Sequence, residues 1–132
     1  MNAPLYQKGP RRLGADPKGD TVWVAEYWAG RLAKIDIHTR KITEYKVPYR
    51  YSYPYKIVVD KNRMVWFAMA NADRFGKFNP FTEQFTMYEL PTRGTNARHI
   101  AVDNSTDVPA IWIPYWGAGK IAHVQFRTNT AR

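Results

Sequence analysis

The chain contains no cysteine, so disulfides play no part in its stability and no Cys/His spacing is available to hold a metal. No apolar run approaches the length of a membrane span. Met1 to Arg12 lacks the apolar region of a secretory signal. As written, the chain is therefore expected in the cytoplasm; if it is a piece of a longer gene, a secreted or periplasmic location stays open. No stretch offers a helical stripe of useful length, which excludes a helical architecture. A Ser-His-Asp arrangement and a Gly-rich phosphate loop are also missing. Twenty Lys and Arg against eleven Asp and Glu give a net charge of +9, a balance that suggests acidic partners. The basic residues are dispersed and form no block of five or six, which argues against nucleic acid as the partner.

What the chain does have is a repeat. Arg31, Lys34, Thr39, Tyr45 and Pro48 return as Arg74, Lys77, Thr82, Tyr88 and Pro91, each 43 residues later. Ile35, Ile42 and Val47 return as the apolar residues Phe78, Phe85 and Leu90. A third, partial copy follows: Trp23, Trp66 and Trp112 each sit in a short apolar run, and Gly119 to Val124 restates Gly30 to Ile35. The extra residues of the third spacing fall in Asn104 to Pro109, where a turn tolerates insertion. A period of this size belongs to propellers and solenoids.

Each unit reads as short strands separated by turn signals, so the chain is expected to be all-β. The expected strands are 12–15, 22–26, 31–35 and 42–46, then 56–59, 65–69, 74–78 and 84–88, then 99–102, 110–113 and 120–124. Four antiparallel strands per repeat describe a propeller blade. The blades are placed at about 10–48, 54–91 and 97–132, the last with an incomplete outer strand. Closed propellers need roughly four to eight blades, and three cannot close. Two chains are expected to complete a six-bladed ring by homodimerisation; the rival reading is that the chain is a fragment of a longer gene.

In such a meander the connections sort onto two faces. One receives ordinary turns, in which Asp16, Asp60 and Asp103 are expected to accept backbone hydrogen bonds. The other gathers aromatic, Arg and Glu residues, the groups a recognition surface favours. Its candidate ligand-binding residues are Glu26, Tyr27, Trp28, Tyr49, Arg50, Tyr51, Tyr53, Tyr55, Asn71, Arg98, Tyr115 and Trp116. Alternation in an extended segment would set Tyr49, Tyr51, Tyr53 and Tyr55 on one side, able to stack on a flat or sugar-like ligand or to seal a dimer. Trp23, Trp66 and Trp112 are read as blade-packing residues.

The pattern in Tyr55 to Asp60, Met64 to Phe67, Gly30 to Asp36 and Ile42 to Pro48 resembles the repeat of the virginiamycin B lyases, or streptogramin lyases. That resemblance implies a propeller, seven-bladed in those enzymes, and an elimination that opens a cyclic depsipeptide with magnesium, His and Glu on the channel face. Trp23 to Glu26 matches the turn that supplies a glutamate there, whereas the equivalent places in the other blades hold Met69 and Tyr115. The first strand of each blade in those enzymes often begins Pro-His; here the matching pairs are Pro10-Arg11, Pro54-Tyr55 and Ala97-Arg98, with His99 one position later. The catalytic candidates are thus Glu26 and His99, with no metal ligands assigned and Mg2+ invoked only if the lyase reading holds. One carboxylate without a matched imidazole favours a non-catalytic module that binds a ligand or partner. The alternative is a magnesium-dependent carbon-oxygen lyase acting on cyclic depsipeptides. The expected partners are a second copy of the chain and a small-molecule or peptide ligand, without nucleic acid or membrane.

Overall fold

A computed structural model of the protein describes residues 5–127. After a 3-10 turn at Leu5–Lys8 come β1 (Pro10–Ala15), β2 (Thr21–Glu26), β3 (Arg31–Asp36) and β4 (Ile42–Lys46). The second unit supplies β5 (Pro54–Val59), β6 (Val65–Met69), β7 (Arg74–Asn79) and β8 (Gln84–Glu89), and the third β9 (Ala101–Asp103), β10 (Ala110–Tyr115) and β11 (Lys120–Val124). Each expected strand is present, with no end displaced by more than two residues. The strands form three antiparallel sheets in meander order, two of four strands and one of three among the described residues. This is a partial β-propeller.

Local chemistry explains why the chain turns where it does. The carboxylate of Asp36 accepts the amides of His38 and Thr39, and the side chain of Asn79, at the same place one repeat on, accepts those of Phe81 and Thr82. Arg40 (φ 61°) and Glu83 (φ 59°) then close the two turns in the left-handed region. At the other kind of turn, Asp16, Asp60 and Asp103 accept the amides of Lys18, Asn62 and Ser105, as expected of side chains that mimic a backbone turn.

Two apolar layers join the blades. Trp23, Ala25 and Leu32 of the first blade pack against Ile57, Val65, Phe67 and Phe78 of the second. Alternation sends Trp66, Ala68 and Phe75 to the opposite face, against Ile100, Ile111 and Ile113 of the third. In each case the central tryptophan is covered by the blade that follows. Trp112 departs from this pattern: it is 42% exposed, whereas Trp23 and Trp66 are 2% and 4% exposed. Trp112 occupies the equivalent strand position, but no later blade lies over it among the described residues, and it stacks on His123 with ring centroids 4.0 Å apart.

The first blade shows the complementary exposure. Leu13 is 58% exposed, while Ile57 and Ile100, at the matching place in their blades, are 0% and 1%. Part of that outer face is covered from within the chain. The carbonyls of Lys8 and Gly9 accept the amides of Trp28, Ala29 and Tyr27. The Lys8 ammonium pairs with the Glu44 carboxylate, which Arg31 also binds at 2.9 Å. Val24 and Ala33, which share the Glu44 face by register, are buried.

Candidate ligand-binding site

The loops after β2 and β4 emerge together and enclose a cleft of about 740 Å3. Six of the expected residues line it: Tyr27, Trp28, Tyr49, Arg50, Tyr51 and Tyr53. Tyr27 and Tyr53 are stacked at 5.0 Å, Tyr51 and Tyr53 at 6.1 Å, and Trp28 meets Tyr53 edge-on at 5.9 Å. Tyr55 stands just behind, edge-on to Tyr27, and Asn71 donates to the Tyr27 hydroxyl at 3.1 Å. The Arg11 guanidinium lies 4.8 Å from the centre of the Tyr27 ring and Arg50 5.0 Å from that of Tyr51, geometry suited to cation–π attraction. No Asp or Glu lines the cleft.

The tyrosines are brought together by a turn rather than by an extended segment. Tyr51 (φ 57°) and Tyr53 (φ 44°) both adopt left-handed backbone, a conformation that bulky residues rarely hold and that costs on the order of 1–3 kcal/mol each. The turn directs Tyr49 toward Arg74, which donates to its hydroxyl, so the four tyrosines do not share one side. Between them, Ser52 is buried, lines the cleft, and has no hydrogen-bond partner for its hydroxyl among the described residues. Ser52 and Lys46 were missed by the aromatic criterion; membership of the same two loops was the available signal.

On the third blade, Arg98, His99, Tyr115 and Trp116 surround a separate hollow of about 340 Å3. Arg98 lies 4.8 Å from the Trp116 ring centre, repeating the Arg11–Tyr27 arrangement of the first blade. Tyr115 is buried there rather than displayed on the rim, and burial pushes its phenol pKa up.

Glu26 requires a correction. It is not a rim carboxylate: it is fully buried on the outer face of the first blade, and neither oxygen has a hydrogen-bond partner among the described residues. Trp23 and Ala25 face the second blade, so alternation sends Val24 and Glu26 the other way. Burial and the nearby Glu44 charge hold its pKa above the usual carboxylate value, opposed by Lys8 and Arg31. His99 belongs to the other end of the arc. Partial burial and then the positive charges of Lys56 and Arg12 hold its pKa below the usual imidazole value. Glu26 is buried in the first blade whereas His99 lines the hollow on the third, so the two do not form an acid-base pair. Among the described residues, no group of three or more His, Asp or Glu side chains is placed to hold a metal. The described residues therefore offer no cluster that fits a magnesium site.

No protein-family profile matches the sequence, and no curated protein matches it. Solved structures do. Virginiamycin B lyase from Staphylococcus aureus superposes with a TM-score of 0.73 at 22% identity, over 92% of this chain and 42% of that one. A catalytically inactive variant of the same enzyme, solved with quinupristin, gives 0.76 at 21% identity, over 98% of this chain and 45% of that one. Hydrazine synthase from Kuenenia stuttgartiensis gives 0.68 at 16% identity, over 92% and 36%. The chain spans less than half the length of each. Proteins with such different names share this architecture, so the likeness carries fold and not chemistry. The chain has the β-propeller fold seen in virginiamycin B lyase, built here from three blades.

Proposed function

We propose that the chain is a non-catalytic propeller module whose cleft at Tyr27, Trp28 and Tyr49 to Tyr53 binds a peptide-like small molecule carrying aromatic groups. The observation that carries this reading is the stacked cluster of Tyr27, Tyr51 and Tyr53, met edge-on by Trp28, lining one cleft. The rings supply stacking surface, while Lys46 and Arg50 supply positive charge without a carboxylate in the lining. The left-handed Tyr51 and Tyr53 support the same reading, because backbone strain gathers at binding sites.

Quinupristin, present in one of the similar structures, is a suitable probe. It is expected to quench Trp28 fluorescence saturably and to be recovered unopened with magnesium present. Tyr53→Ala is expected to weaken binding about tenfold, the scale of one lost aromatic pair and its contact area. Magnesium-dependent ring opening would overturn the non-catalytic reading in favour of the lyase alternative. Absence of any quenching would remove this ligand class.

The same reading includes a second copy of the chain. Trp112 and Ile121 on the third blade present the kind of surface that Trp23 and Leu32 present to the second blade. Leu13 and Ile42 on the first blade are the matching receptor. One chain carries both halves of one packing scheme, so a twofold pair can bury both and close six blades. Light scattering is expected to give twice the chain mass of 15.4 kDa, and Trp112→Glu is expected to give the single mass. A wild-type monomer at micromolar concentration would rule the pairing out.

A further inference from the structure

The innermost strands hold a second set of functional groups. Counting back from the paired positions, Arg12, Lys56 and His99 occupy the same place: each immediately precedes the apolar residue (Leu13, Ile57, Ile100) that points toward the preceding blade. β5 lies between β1 and β9 and adjoins both. Lys56 reaches back to donate to the Leu13 carbonyl at 3.3 Å, and the Arg12 guanidinium lies 5.9 Å from the Tyr55 ring centre. The charges of Arg12 and Lys56 both act on His99, although Arg12 sits two blades away. The three equivalent positions thus lie side by side on adjoining inner strands. Neither β1 nor β5 contains an acidic residue, and among the described residues none of the three forms an ion pair. None of them lines the aromatic cleft.

We infer that Arg12, Lys56 and His99 form an anion site on the channel side of the arc, suited to a small molecule bearing two or more oxyanion groups. Three donors stand on adjoining inner strands, and none of them has an ion-pair partner among the described residues. A bound phosphate or carboxylate would make charge-assisted hydrogen bonds with Arg12 and Lys56 and would favour the imidazolium of His99. A multivalent anion spans several blades at once, whereas a single chloride meets one donor. In a ring closed by a second copy, the same three groups would appear twice around the channel. The anion site itself needs only one arc.

The test follows the three histidines by proton NMR, with His99 assigned through His99→Gln. Pyrophosphate and citrate are the probes and separate phosphate from carboxylate preference. Saturation with either is expected to raise the titration midpoint of His99 while leaving His38 and His123 in place. In Arg12→Gln/Lys56→Gln the affinity is expected to fall at least about tenfold, the scale of a lost hydrogen bond to a charged group. Lys56→Gln alone gives a second reading if the double variant folds poorly. Tyr53→Ala is expected to leave anion binding intact, which separates this site from the aromatic cleft. An unmoved His99 midpoint, or the same shift in the variants, would overturn the inference. So would a single-stranded oligonucleotide that moves His99 where neither small anion does, because the surface would then belong to a nucleic acid.

Discussion

Phe67→Ala is expected to lower the free energy of unfolding by about 3–5 kcal/mol, the range for removing a fully buried phenylalanine. Phe67 stands in the middle of β6, inside the layer that joins the first two blades, with no exposed surface. Its ring fills the space left by Gly76 on the neighbouring strand: a Cβ there would lie 2.3 Å from the Phe67 Cζ. It also meets Phe85 edge-on at 6.0 Å. Truncation would leave a void that Gly76 has no side chain to enter, and close-packed strands on both sides limit collapse. Urea unfolding followed by circular dichroism measures the change. A loss below about 1 kcal/mol would mean that the layer repacks freely, contrary to the tight fit of ring over glycine.

The second large effect is expected at Asp60. This buried carboxylate accepts three donors, the amides of Asn62 and Met64 at 2.8 and 3.0 Å and the Trp66 indole N–H at 2.8 Å. It therefore holds a turn and orients the tryptophan that packs on the third blade. Asp60→Ala strands all three donors and is expected to cost about 3 kcal/mol. Asp60→Asn keeps the shape but turns one acceptor into a donor, and is expected to cost roughly half as much. Asp103→Ala, at the exposed equivalent turn, is expected to change stability far less. The indole N–H resonance of Trp66 should move in both Asp60 variants. If it does not, Asp60 is not what orients the ring.

The strand plan was legible because two signals agree along the chain. Polar turn residues recur at Asp36 and Asn79 and at Asp16 and Asp60, and apolar residues alternate between them. Both act over a few residues, so the chain itself reports them. Trp112 shows where such reading stops. Its position in the repeat told its place within a blade but not whether a neighbouring blade lies over it, and burial depends on the neighbour. The Tyr49 to Tyr55 loop fails in another way: alternation presumes extended backbone, and the left-handed turns at Tyr51 and Tyr53 break that premise. Glu26 matched a rim position in a motif, yet strand parity counted from Trp23 already assigned it to the outer face. Its burial beside Lys8 depends on the segment before β1 folding back over the blade, which no periodicity encodes. The placing of Arg12, Lys56 and His99 on adjoining inner strands likewise comes from how three blades pack side by side.

Every hydrogen-bonded strand pair in the described structure joins strands that are neighbours in the chain, and no sheet borrows a strand from another blade. Duplication or deletion of one whole repeat therefore severs no strand pairing and changes only which side chains meet across a blade boundary. Such a chain can change its number of blades by unequal recombination at the connections near Pro48 and Pro91 without passing through an unpaired sheet. Selection then acts on the fit of two faces rather than on the survival of the fold.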